Sequence, residues 1–253
     1  MVEAKILFQD VCKEKTNWDD ELPEPYQEKW LQWSKDLRDT KEVEVKRCMF
    51  NQREEEVKEI NLHGVCDASE KAYCCAIYLH IVTEKDQQVT LLTSQTRMTP
   101  LKAMSIPRLE LTAARTLAQL LETVQEALGG EVELTSINLW TGSMTTLWWI
   151  RNKKEWKQYV TNRANKILER TEIANWRHCP RIQNPADIGS RGMKSAELKE
   201  KDLWWNEPEW IGDRNSWPKS EEVEETEASV KEQKKESFQA LVTREKQNNN
   251  QIC

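Results

Sequence analysis

Three carboxylates stand where the chain changes direction, and each is a residue type that can hold a metal ion or move a proton. Asp67 closes the run "INLHGVCDAS", Glu110 lies in "PRLELTAARTLAQLLETVQEAL", and Asp187 lies in "NPADIGSRG". Each also has a plain structural use. Asp67 can form an Asx turn between strands. Asp187 completes a helix start with Asn184 as N-cap, Pro185 at N1 and Asp187 at N3. Glu110 shares a helical face with Ala114, Leu117, Leu121, Val124 and Leu128. It is either a half-exposed side chain favoured by the helix dipole, or a core-facing one that must be paired or bind a metal. A fourth position matters for what it lacks. "LWTGSMTTLWWIRN", residues 139–152, reads as a strand entering a helix, with Gly142 at the turn and no side chain to offer.

The elements that must position these residues follow from periodicity. "INLHGVCDAS", "AYCCAIYLHIV" and "QVTLLTSQTR" read as three strands, the last two joined by the polar loop "TEKDQ". A helix runs from Pro107 to Leu128 and stops at Gly129-Gly130. "SINLW" is a fourth strand, "SMTTLWWIRN" a short helix, "QYVTNRANKILERT" another helix, "NWRHC" a fifth strand, and "NPADIGSRG" opens a last helix. The order βββαβααβα predicts an α/β domain, a mixed five-stranded sheet with flanking helices. Ahead of it, Asn17 or Asp19 can cap a helix after Pro25 that carries Trp30, Leu31 and Trp33, and "NQREEEVKEI" reads as a polar connector. From 218 onward one aromatic and few aliphatics accompany many charges, which predicts a disordered, dispensable tail.

Composition narrows the function. The 253 residues are 38% hydrophobic and 32% charged, with net charge −6. The average hides residues 150–194, where eleven Lys/Arg meet four acids. With Arg97, Lys102 and Arg108, this stretch suggests salt-dependent contacts to phosphates, against the alternative of ordinary solvated helix faces. Seven scattered Cys and three His form no C-x-x-C pair and no zinc-finger spacing, so Cys66, Cys74 and Cys75 are expected as buried thiols. No signal peptide opens the chain and no apolar run nears the roughly 18 residues of a membrane helix, so a cytoplasmic or nuclear protein is expected.

The three carboxylates would converge on one edge of the sheet, an arrangement that resembles the ribonuclease H fold. "CDASEKAYCCAIYL", "LLTSQTRMTPLKAMSIPRLELTAARTLAQL", "WTGSMTTLWWIRN", "WKQYVTNRANKILERT", "NWRHCPRIQNPADIGSRG" and "LWWNEPEWI" follow one another as in the Pao/BEL family of LTR retrotransposon polyproteins. "ILFQDVCKEKTNWDDELPEPYQEKWLQW" resembles the connection that precedes the domain in that family. The likeness spans roughly residues 5–217 and divides the chain into a helical connection (1–58), a ribonuclease H-like domain (59–217) and the charged tail (218–253). The region is sometimes labelled a Pao retrotransposon peptidase, but an aspartic peptidase needs D-[ST]-G, which occurs nowhere here.

The resemblance implies Mg²⁺-dependent hydrolysis of the RNA strand of RNA–DNA hybrids, on two ions held by four carboxylates. Carried over by motif, Asp67 bridges both ions, Glu110 serves the ion nearer the leaving group, and Asp187 serves the ion that activates water. Gly142 stands where the family motif W-T-D-S has its Asp. The resemblance therefore implies an incomplete metal site in a copy impaired as an enzyme, which at most binds nucleic acid through its backbone. The alternatives are a still-active ribonuclease H and a domesticated protein-interaction module. His178 lies inside the fifth strand rather than in the loop after the Pro, so it is not expected to act as a base. Cys74 and Trp148 are further departures, from a usual Gly and a frequent His.

Overall fold

The structure is a computed structural model and describes residues 2–40, 57–130, 132–152, 154–205, 208, 210–219 and 222–234. Two helices lead in, α1 (Val2–Lys13) and α2 (Glu24–Asp39). The second is capped by Pro23 with no side-chain cap, so neither Asn17 nor Asp19 fills that role. A proline at the cap and another at Pro25 set the entry conformation on their own. The lead-in is attached to the sheet, since Lys5 Nζ donates to Thr96 O and Gln9 Nε2 to Thr99 O.

Strands β1 (Val57–Ala68), β2 (Ala72–Thr83) and β3 (Gln87–Met98) form an antiparallel meander. Helix α3 (Ile106–Leu128) then crosses to β4 (Ser136–Thr141), followed by α4 (Met144–Arg151), α5 (Gln158–Leu168), β5 (Trp176–His178) and α6 (Pro185–Arg191). The sheet order is β3-β2-β1-β4-β5, with β4 and β5 parallel to β1. This is the mixed five-stranded sheet the sequence predicts. Strand β1 begins earlier than expected: Val57–Glu59 belong to it, so a boundary between 58 and 59 falls inside a strand rather than in a connector. Residues 51–56 lie outside the described residues.

Alternation along the strands divides the core in two. One face carries Leu62, Cys66, Ile77 and Leu79 under Leu111, Leu117 and Leu121 of α3. Gly64 lets α3 lie close, because a Cβ there would come 2.8 Å from the side chains of both Leu117 and Leu139. The other face carries Val65, Ala76, Tyr78 and Trp140 under Ala186 and Ile188 of α6. Trp204, from α8 (Asp202–Trp205), closes this layer together with Trp210 and Ile211; α7 (Ser195–Lys199) precedes α8. Cys66, Cys74, Cys75 and Cys179 are buried free thiols, as the sequence predicts for the first three.

The expected tail is partly structured. Residues 222–234 contain α9 (Glu227–Lys231) and dock on the domain. Ser229 is fully buried, Val223 packs against the α3-side core, and Gln233 forms an isolated bridge with Trp156. Composition misled here because this attachment uses ion pairs and backbone hydrogen bonds, which a count of apolar residues does not register. Residues 235–253 of that expectation lie outside the described residues.

Candidate functional site

The register of β1 against β4 sets the site. Cys66 is opposite Thr141, so the next residues along, Asp67 and Gly142, emerge side by side at the end of the parallel pair. Asn184 fastens α6 to the same edge. Its Nδ2 donates to Cys66 O at 3.0 Å, while its Oδ1 accepts from the Ala186 backbone N–H at 3.0 Å. The N-cap read from the sequence is therefore present, and it also ties the start of α6 to the end of β1. Asp67, Glu110 and Gly142 line one cleft of about 630 Å³, with Lys71, Arg181 and Arg191 on its walls.

Asp67 is 7% exposed, and its Oδ2 accepts from Ser190 Oγ at 2.8 Å. Burial, helped by the charge of Asp187, pushes its pKa up to about 6, against the pull of Ser190, Arg181 and the Ala68 N–H. Glu110 is half-buried and lies beyond the first turn of a helix that starts at Ile106. The helix dipole falls off within the first turn, which removes the bland explanation for this residue. Burial first, and the charge of Asp67 second, raise its pKa to about 7, while a hydrogen bond from Ser143 acts the other way. Ser143 also caps α4, its side chain accepting from the Thr146 N–H.

Asp187 is placed differently. Its Oδ1 accepts from Arg181 Nε at 2.8 Å and from Arg191 Nε at 2.7 Å, and its side chain is not among those lining the cleft. Both arginines, and the serine at position 190, lie close by in "PRIQNPADIGSR". None of the three was singled out for a role at the site; the i,i+4 spacing from Asp187 on α6 was an available signal for Arg191, while Arg181, six residues earlier and outside the helix, has none. Gly142 has room for a side chain. A Cβ built there would meet Asp67 Oδ1 at 3.6 Å, Cys179 O at 3.7 Å and Asn184 Nδ2 at 3.8 Å, all ordinary contacts, and its φ is not in the left-handed region. His178 pairs with Thr141 inside β5, as expected for a strand residue. Cys74 lies against Gly189, where no Cβ could be accommodated beside its Sγ.

A two-ion centre does not fit the residues present. Among the described residues, no three His, Cys, Asp or Glu side chains gather closely enough to hold a metal. Gly142 supplies no oxygen, and Asp187 is already engaged by two guanidinium groups. Asp67 and Glu110 remain as a carboxylate pair in one cleft.

The basic stretch 150–194 is not one patch. Arg151 donates to Trp176 O, Arg163 stacks 3.5 Å from the Tyr159 ring centroid, Arg170 pairs with Glu122, and Arg177 lies over Trp217. Among the described residues of this stretch, Arg181 and Arg191 reach the cleft. Arg108, expected to face phosphate, is held by Glu232.

The antiparallel meander, the helical crossover to two parallel strands and the carboxylates at the β1–β4 edge define a ribonuclease H-like α/β domain. The family model described as the Pao retrotransposon-like RNaseH-like domain matches residues 1–143, and this chain belongs to that family. The match includes the helical lead-in, Asp67, Glu110 and Gly142, and ends before Asp187. No curated protein matches the chain. Solved structures that resemble it include RNase H1 from the halophilic archaeon Halobacterium salinarum NRC-1, at 11% identity over 52% of this chain and 94% of that one, TM-score 0.34. LC11-RNase H1, isolated from compost and solved in complex with an RNA/DNA hybrid, shares 16% identity over 55% and 99%, TM-score 0.34. The foamy viral protease-reverse transcriptase, also in complex with RNA/DNA hybrid, shares 9% over 70% and 27%, TM-score 0.33. No helix among the described residues is long and apolar enough to cross a membrane.

Proposed function

We propose that this chain is a retrotransposon-derived ribonuclease H-like domain that binds RNA–DNA hybrids through their sugar–phosphate backbones and is impaired in cleaving them. One observation carries the reading: Gly142 sits beside Asp67 at a position that would accept a Cβ and carries no side chain. Asp67, Glu110 and Asp187 are the site residues in this reading, and a divalent ion such as Mg²⁺ is the cofactor the family resemblance implies. The chain's own groups have separable roles. Ser190 holds Asp67 by a hydrogen bond to Oδ2, and Ser143 favours the charged form of Glu110. Lys71, Arg181 and Arg191 supply positive charge at the cleft walls, where phosphates rather than bases would be met.

The test restores the missing group. Gly142→Asp is expected to raise cleavage of the RNA strand of a hybrid in Mg²⁺ or Mn²⁺ by about 10²-fold or more, the scale on which one misplaced group costs rate. Gly142→Asp combined with Asp67→Asn should abolish the gain. Unchanged protein that already cleaves in an Asp67-dependent way would establish an active nuclease instead. No gain from the single substitution would show that the defect extends beyond this residue.

A further inference from the structure

The described C-terminal segment lies across the cationic surface formed by the first turn of α3, the α4–α5 connection and the start of α5. Its residues 222–234 hold five acids (Glu222, Glu224, Glu225, Glu227 and Glu232) against Lys231 and Lys234. Arg108 donates from Nε and Nη2 to the two oxygens of Glu232 at 2.6 and 3.0 Å. That two-pronged geometry is the one a guanidinium also uses on phosphate. Lys154 Nζ meets Glu225 at 2.7 Å, and Lys157 Nζ donates to Lys231 O. Backbone bonds hold the segment in line: Lys157 N–H donates to Glu232 O at 2.7 Å and Lys234 N–H to Glu155 O at 2.9 Å.

The attachment combines ion pairs and backbone bonds with the apolar contact of Val223 against the α3-side core. Val230 is half exposed, and the Lys154–Glu225 pair is more than a third exposed on both sides. Exposed pairs of this kind contribute little and are screened by salt. Arg108, Lys154 and Lys157 do not line the cleft; Arg108 is two residues from Glu110 on α3, a spacing that turns the two side chains to different sides of the helix, so the covered cations form a separate surface.

We infer that residues 222–234 are a built-in competitor for polyanions, masking Arg108, Lys154 and Lys157 until a nucleic-acid backbone displaces them. The inference rests on the hybrid-binding reading above and adds to it the surface used and its occupant in the free protein. Binding and release are then linked: hybrid frees the segment, and loosening the segment favours hybrid.

The experiment uses the full chain and a labelled RNA–DNA hybrid, with affinity followed across a salt series. Glu225→Gln combined with Glu232→Gln should tighten binding about tenfold at low salt and steepen the salt dependence by about two to three phosphate contacts. Adding Arg108→Gln, Lys154→Gln and Lys157→Gln should erase that gain. In the unchanged protein, hybrid should accelerate tryptic cleavage after Lys231 and Lys234, a readout that needs no variant to fold. If the unchanged protein binds hybrid but the Glu variants bind no tighter, or hybrid protects those lysines, the competitor is ruled out and hybrid binding stands. If neither protein binds hybrid at low salt, the hybrid reading falls and takes this inference with it.

Discussion

His63 and Asp67 lie four residues apart on the same face of β1, both almost fully buried, yet the protein treats them in opposite ways. His63 lies among aromatic rings, parallel to Trp140 at 6.5 Å and edge-on to Trp217 at 5.7 Å, and its Nδ1 accepts from Trp140 Nε1 at 3.4 Å. Burial holds its pKa down at about 3, so it stays neutral and serves as a packed polar ring. Asp67 has one serine hydroxyl, the charge of Arg181 and one backbone N–H to stabilise its charge, which is too little to offset burial and a neighbouring carboxylate. The difference shows that one strand can carry a polar residue satisfied by its neighbours and another that its neighbours destabilise once charged. An uncompensated carboxylate is the signature expected where function, rather than folding, places a residue.

The comparison can be broken most forcefully at its aromatic side. Trp140 is fully buried, so Trp140→Ala should cost about 3–5 kcal/mol of stability in chemical denaturation. A smaller loss would mean the His63 environment is not a packed core. Next comes the carboxylate side. In the fold Asp67 and Glu110 keep protons up to about pH 6 and 7, whereas the unfolded chain releases them near the ordinary values of 3.8 and 4.5. Stability contributed by these groups is thus present at low pH and is lost as pH rises from roughly 4 to 7. Asp67→Asn combined with Glu110→Gln should therefore stabilise the metal-free protein at pH 8 by on the order of 2 kcal/mol, and equal stability of the two proteins would refute the site's electrostatics.

His63 gives the opposite slope. Its folded pKa is depressed, so its contribution is full above about pH 6.5 and is lost as pH falls toward 3. His63→Gln should lose about 2 kcal/mol less than the unchanged protein between pH 7 and pH 5, measured as the difference in unfolding midpoints. The smallest effect is expected at Ile182, 88% exposed beside the cleft, where Ile182→Ser should change stability by less than about 0.5 kcal/mol.

Much of the sheet was legible because its strands are bounded by turn residues and its longest helix ends on Gly129 in the left-handed conformation. The Asn184 cap was legible for the same reason, since local spacing specifies it. Asp67, Glu110 and Gly142 were singled out by type and position and do share a cleft. What sequence hid was partnership. The i,i+4 spacing offers Arg191 to Asp187, but nothing in "SRG" says that Ser190 turns back to Asp67, 123 residues earlier. Nothing in a charge count says that Arg108 is matched by Glu232, 124 residues later. Such pairings depend on how distant segments meet, and local periodicity carries no information about that.

The raised pKa values at Asp67 and Glu110 have a consequence for the history of the chain. Side chains that disfavour the folded state at neutral pH are not maintained by folding, so random substitution should favour their neutral replacements. Cys74, lodged against Gly189, is different, because changing it disturbs packing. With no demand for the cleft, carboxylates would be among the first residues to disappear from a lineage and the thiol beneath them among the last. On the proposed reading of Gly142 as a lost carboxylate, the presence of Asp67 and Glu110 places the cleft at an early stage of that erosion or under continuing selection.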